Sequence, residues 1–264
     1  MGFLQTTTRC RAAASLLLWG ACALVACSAP ALPPGYRKGE QLERERRYGE
    51  ALKVYAEAAR TCRKKPDACA TTEMRVAQMN LKLERPREAV KVYLNVARGH
   101  GKGIREGARA LTRAALILAK LGDKDRALRI WWEVVDTYPE TLAADDALGR
   151  IVQRYRDDKR LWDLVPILRA RYRKLHRQDI GDNLLWEAAQ ILETSRDVAK
   201  QDLAVTLYQR IIDGYKSGGL RDNSWMAAAA IRRKQGRFLD AIALYQALLR
   251  TREDAVAGAS YHSE

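Results

Sequence analysis

LGDKDRALRIWWEVVDTYP, residues 121–139, carries the plan of the whole chain. Leu121–Gly122 stops one helix, and the Asp123 side chain can cap the first free amides of the next. Ala127, Ile130, Trp131, Val134 and Val135 then return at helical spacing until Tyr138–Pro139 ends the segment.

The same layout recurs. Ala51, Ala89, Ala127, Ala204 and Ala241 stand in matching contexts, and four residues after each come Tyr55, Tyr93, Trp131, Tyr208 and Tyr245. The first three alanines are 38 residues apart and the last two are 37 apart. The gap of 77 after Ala127 leaves room for one degenerate unit, RLWDLVPILRARY, marked by Leu164. A small residue at the mark lets two helices of a hairpin approach closely, and the aromatic one turn later fills the space toward the next hairpin. No hairpin can bury its apolar stripe alone, so stacking has to make one continuous core. The spacing predicts an all-α array of about six hairpins, roughly twelve helices, over residues 36–254, with 255–264 a disordered tail. Composition agrees: of 264 residues 47% are hydrophobic and 30% charged, Gly and Pro are sparse, and no alternating β-branched runs suggest a sheet.

This pattern resembles the tetratricopeptide repeat, over about four fifths of the chain. Gly122 and Gly236 in inter-helix turns, Pro139 closing a unit, Trp225 and Phe238 at aromatic sites, and Gly39 with Tyr48 in the first unit carry the likeness. Ala77 and Pro86 depart from it in the second unit, the fourth unit is barely recognisable, and the units are longer than usual. The resemblance implies a right-handed superhelix that offers binding surface rather than a reaction centre. The long units and DTYPETLAADDAL (136–148) look most like tetratricopeptide-repeat lipoproteins of the bacterial outer membrane, of the BamD and CpoB kind.

The N-terminus fits that address. Residues 1–11 carry Arg9 and Arg11 and no acid, and AAASLLLWGACALV (12–25) is an apolar core shorter than the ~20 residues that span a bilayer. Leu24-Val25-Ala26-Cys27 looks like a lipobox. It implies cleavage after a signal peptide of residues 1–26, with diacylglycerol on the Cys27 thiol and an acyl group on its amine. These lipids are the one covalent addition expected, and no other cofactor is. An ordinary signal peptide or a short uncleaved anchor, the latter leaving the repeats in the cytoplasm, are the alternatives. Ser28 resembles the residue that directs such lipoproteins to the outer membrane. Residues 27–35 read as a lipidated Cys and a Pro-rich tether, whose eight residues after Cys27 could reach roughly 25 Å.

A formal net charge of +15 suits nucleic acid, anionic lipid or acidic proteins equally. A periplasmic location removes nucleic acid from that set. Cys10 and Cys22 leave with the leader, and Cys62 and Cys69 bracket a turn. An oxidising compartment favours a disulfide between them, with two free thiols the alternative.

Signatures of catalysis are absent. His100, His176 and His262 are not at metal-ligand spacing with the cysteines. GHGKG (99–103) lacks the phosphate-loop spacing and reads as a loop. Asp145–Asp146, Asp157–Asp158 and Glu73 suit caps and helix dipoles.

One binding feature follows from the register. Seven residues before the mark stand Arg44, Lys82, Lys120 and Lys234, with Asp157 and Asp197 at that count in units four and five. In the tetratricopeptide family this position ends the first helix, toward the concave side. A cation ladder there could receive an acidic peptide or a C-terminal carboxylate, beside Met74, Thr112, Asn223 and Met226. The alternative is the ordinary preference of Lys and Arg for the last helical turn. RYRKLHR (171–177) and IRRKQGR (231–237) read as solvated faces that could touch anionic lipid. Together these features predict a non-enzymatic envelope scaffold on the periplasmic face of the outer membrane, held in its lipid through Cys27 and binding other envelope proteins. Outer-membrane protein, secretin or motility-machine assembly, or envelope coordination, would be its setting. An accessory subunit that positions a separate peptidoglycan-processing enzyme is the rival.

Overall fold

A computed structural model of the chain describes residues 32–62, 66–99, 105–215 and 219–260. The leader, Cys27 and the first part of the tether lie outside those residues, as does the GHGKG segment after Gly99. The chain divides into residues 1–31 and 32–264, and the second unit is the one described.

Among the described residues all regular structure is helical. The twelve helices are α1 (Tyr36–Arg44), α2 (Tyr48–Thr61), α3 (Pro66–Lys82), α4 (Pro86–Gly99), α5 (Arg105–Lys120) and α6 (Lys124–Thr137), followed by α7 (Leu142–Asp157), α8 (Leu161–Leu175), α9 (Ile180–Glu193), α10 (Val198–Gly214), α11 (Gly219–Lys234) and α12 (Phe238–Ser260). They form six antiparallel hairpins in file, each helix packed on the one before and the one after it. The folded unit starts slightly ahead of Tyr36: Pro33 is buried and its carbonyl accepts the Tyr36 amide at 3.1 Å. At the other end α12 continues to Ser260, past the expected boundary at residue 254.

The marks sit where close approach demands them. Ala51, Ala89, Ala127, Leu164, Ala204 and Ala241 are all buried. Hairpin four, whose mark is the larger Leu164, is the one whose two helices, α7 and α8, touch over a much shorter stretch than those of any other hairpin, while α8 keeps its full contact with α9.

Five hairpins turn through the same three-residue loop. Its middle residue is left-handed: Arg46 (φ 60°), Glu84 (58°), Gly122 (86°), Lys159 (58°) and Gly236 (75°). In each the following amide reaches back five residues, as in Arg47 to the Leu42 carbonyl at 2.9 Å and Arg160 to Tyr155 at 2.8 Å. The middle residue's own amide closes a tighter bond, as in Gly122 to Ala119 at 3.1 Å. This double closure satisfies carbonyls that a helix end leaves free. Asp123 caps α6 as expected, accepting from the Arg126 amide at 3.2 Å.

The fifth hairpin differs, and a correction follows. Its loop has four residues, 194–197, so Asp197 is not at the end of the first helix. It caps α10, accepting from the Ala199 amide at 2.9 Å, and Glu193 ends α9.

First helices of successive hairpins touch one another, α3 with α5, α5 with α7, α7 with α9 and α9 with α11. No comparable approach occurs between successive second helices among the described residues. The first helices are therefore the closer-packed side, and the array bends with them on its inner face.

Candidate protein-interaction face

Arg44, Lys82, Lys120 and Lys234 are the last residues of α1, α3, α5 and α11, and all four are exposed. None of them makes an ion pair among the described residues; the Lys82 ammonium lies 6.0 Å from the centre of the Tyr48 ring. Their positive charge meets the negative end of the helix dipole, the ordinary use of a cation there. The sign changes midway, because α7 ends in Asp157 and α9 in Glu193. Of the proposed neighbours, Met226 and Asn223 are exposed, whereas Met74 is buried and Thr112 bonds to the Ala108 carbonyl at 2.9 Å.

A second basic row lies deeper along the same helices, and the sequence reading passed over it. Arg37, Arg75, Arg113 and Arg150 each stand fourteen residues before a mark, so all four share one register on α1, α3, α5 and α7. Counting back fourteen residues from the mark instead of seven would have found it. Arg75 shows how the row faces the neighbouring first helix: its Nε donates to the Tyr36 hydroxyl at 3.0 Å, and its guanidinium is 3.5 Å from Glu43 and 3.9 Å from Glu40. Arg150 has Asp146 at 3.6 Å, one turn earlier on its own helix. Arg37 and Arg113 are exposed.

Beside Arg150 a cleft of about 180 Å³ opens between α5, α6 and α7, with Lys124, Arg150, Arg154 and Asp157 on its rim and Trp131 at its base. Arg154 is held by Asp158 at 3.0 Å and by Asp125 at 3.4 Å. Its charge is therefore partly spent inside the fold.

Beyond α7 the character reverses. In α9, Glu187 stands next to Trp186, and burial pushes its carboxyl above the ordinary range, with Arg156 opposing. Asp145 and Asp182 are likewise raised by burial, the first against an Asn183 amide that donates to it at 2.7 Å. Tyr208 is raised by burial and by Glu193, whose carboxylate accepts its hydroxyl at 2.8 Å. These acids sit near the starts of α7 and α9 and within α9; no group of three metal-ligating side chains forms among the described residues.

Cys62 and Cys69 are joined as a disulfide, their Cα atoms 5.3 Å apart, linking the end of α2 to the first turn of α3. No helix among the described residues is long and apolar enough to cross a membrane. Arg171 lies 3.6 Å over the Trp132 ring while its Nε donates to Asp136 at 3.1 Å, so this part of RYRKLHR ties α8 to α6.

Residues 109–141, from α5 through the end of α6, match the family described as Tetratricopeptide repeat. No curated protein matches the chain. Among solved structures, MamA 41-end from Desulfovibrio magneticus RS-1 is similar at 16% identity, covering 70% of this chain and 96% of that one, with a TM-score of 0.39. The TPR2AB-domain of yeast Sti1, solved in complex with pHSP90, is similar at 12% identity over 86% of this chain and 93% of that one, TM-score 0.38. A Podospora anserina putative kinesin light chain with TPR-like repeats shares 13% identity over 84% and 94%, TM-score 0.33. The fold is thus an all-α array of tetratricopeptide-like hairpins, the architecture of protein-interaction scaffolds.

Proposed function

We propose that this chain is a non-enzymatic scaffold, anchored by lipid on Cys27 at the periplasmic face of the outer membrane, whose inner face receives acidic extended segments of other envelope proteins. The observation that carries the binding half is the row Arg37, Arg75, Arg113 and Arg150, one guanidinium at the same register of each of the first four first helices, α1, α3, α5 and α7. Packed helices lie roughly 8–10 Å apart, and an extended peptide advances about 3.3 Å per residue. A ligand with an acid at every third residue therefore matches the row. Arginine suits the task because its planar fork pairs carboxylates with two hydrogen bonds. Lys82 and Lys120, one register further along α3 and α5, widen the same positive strip. The lipid anchor and the envelope setting rest on the leader, the lipobox-like Leu24–Cys27 and the Pro-rich stretch after it.

Fluorescence anisotropy of a labelled (Glu-Ser-Gly)5 peptide tests the binding half. Tight, salt-sensitive binding is expected, at least tenfold weaker in Arg113→Glu/Arg150→Glu and reduced in Lys82→Glu/Lys120→Glu. Equal binding by wild type and the arginine variant would remove the proposal. Labelling with radioactive palmitate tests the anchor: signal in wild type and none in Cys27→Ala is expected, and unchanged signal in the variant ends the lipoprotein reading.

A further inference from the structure

The outer face of α12 is apolar and uncovered. In the internal hairpins the aromatic four residues after the mark is almost fully buried: Tyr93 0% exposed, Trp131 6% and Tyr208 1%. Its counterpart in α12, Tyr245, is 38% exposed. Eight residues after the mark, Val135 is 0% and Ile212 3% exposed, whereas Leu249 is 58%. Ile242 is 50% and Phe238 63% exposed. In the interior these positions are covered by the next first helix, α5 on α4, α7 on α6 and α11 on α10. The uncovered face therefore continues an interface the array makes with itself throughout, and its shape is already fitted to a helix.

The elements that cover it elsewhere show which helix fits. α7, which packs on α6, buries Ala144, Ala147, Leu148, Ile151 and Val152, an apolar stripe of alanines and branched aliphatic side chains at helical spacing. Charge adds a second condition. Between Arg237 and Arg252 the one acid is Asp240, and Arg237 pairs with it at 2.6 Å. Arg250 makes no ion pair among the described residues, and Arg233 and Lys234, at the end of α11 beside the start of α12, make none either. Unpaired cations thus stand at both ends of the stripe, Arg250 at one and Arg233 and Lys234 at the other, while Arg237 is held by Asp240 and Arg252 by Asp222 at 3.0 Å. A second copy of this chain, packed antiparallel through its own α12, would bring Arg250 toward the Arg233–Lys234 end of its partner and meet like charge there.

We propose that α12 is a docking surface, separate from the arginine row, for an amphipathic helix of another protein that has an aliphatic apolar face and acidic first and last turns. Burial of the exposed Phe238–Leu249 stripe supplies the attraction, and the flanking cations set partner choice.

The test uses the full chain in detergent and a fluorescein-labelled 16-residue peptide built on the apolar register of α7, with glutamates in its end turns. A second peptide has lysines there. Anisotropy should show the glutamate peptide binding at least tenfold more tightly than the lysine peptide. Ile242→Asp/Leu249→Asp should weaken it at least tenfold more, and Arg250→Glu should shift preference toward the lysine peptide. Lys82→Glu/Lys120→Glu should leave it unchanged, which separates this site from the inner face. Light scattering should find a monomer. Equal binding of the two peptides, or no effect of the α12 and Arg250 variants, would overturn the proposal. So would a dimer that Ile242→Asp/Leu249→Asp dissociates, because a second copy would then be the occupant.

Discussion

Residue 39 has no room for a side chain because the ring of Tyr55 already fills the space. A Cβ on Gly39 would lie 2.5 Å from Cε1, 2.7 Å from Cζ and 2.8 Å from Cδ1 of that ring. Tyr55 is itself buried, its ring 5.4 Å from that of Tyr36 in an edge-on pair.

Gly39→Ala is therefore expected to destabilise the first hairpin by about 1–3 kcal/mol, the usual cost of overpacking. Chemical denaturation measures it. In a Tyr55→Leu background the added cost of Gly39→Ala should shrink, since the two residues share one space.

The left-handed turn residues make an opposite prediction. Lys159 holds φ 58° without being glycine, a conformation that costs an L-residue roughly 1 kcal/mol or more. Lys159→Gly should raise stability by up to about 1 kcal/mol, and Gly122→Ala should lower it by a similar amount. Thermal melts of the two variants should move in opposite directions.

Glu187 predicts a pH dependence. Its carboxyl is raised by burial, so ionising it opposes folding. Above the folded-state value the full penalty applies; as pH falls through that value toward the ordinary carboxylate range, the penalty disappears. Glu187→Gln should accordingly melt higher than wild type at pH 7, and the difference should close on acidification below the unfolded-state value. A difference that stays constant from pH 7 to pH 4 would count against burial as the cause.

Reducing the Cys62–Cys69 bond should lower stability by ~2.5 kcal/mol on the chain-entropy account of an eight-residue loop. The loss should appear in hydrogen exchange of α2 and α3 and leave α9–α12 untouched, because contacts in the array run between neighbours.

Much of this architecture was legible in the chain because one contact repeats. An alanine and an aromatic one turn apart leave a period that can be counted, and the six marks fall at buried helix contacts. The departures were less legible for physical reasons. Arg46, Glu84 and Lys159 adopt left-handed turns that only glycine announces in a sequence. The loop at 194–197 is one residue longer and α10 starts three residues earlier relative to its mark, which shifts the count by four and places Asp197 at a cap instead of a helix end. The arginine row had a sequence signal in its spacing, but arginines are frequent here, and only the contacts between first helices bring those four to one face. The bare side of α12 is invisible to periodicity, since its residues obey the same pattern as those that are covered.

Hairpin four gives the array a weak joint. With α7 and α8 touching over only a short stretch, the blocks α1–α7 and α8–α12 are tied across it chiefly by α7 on α8 and α7 on α9. Cooperativity passes along such a row only as well as its poorest link transmits it. Heating should melt the molecule in two steps rather than one, and a pull on its ends should part it first between those two blocks.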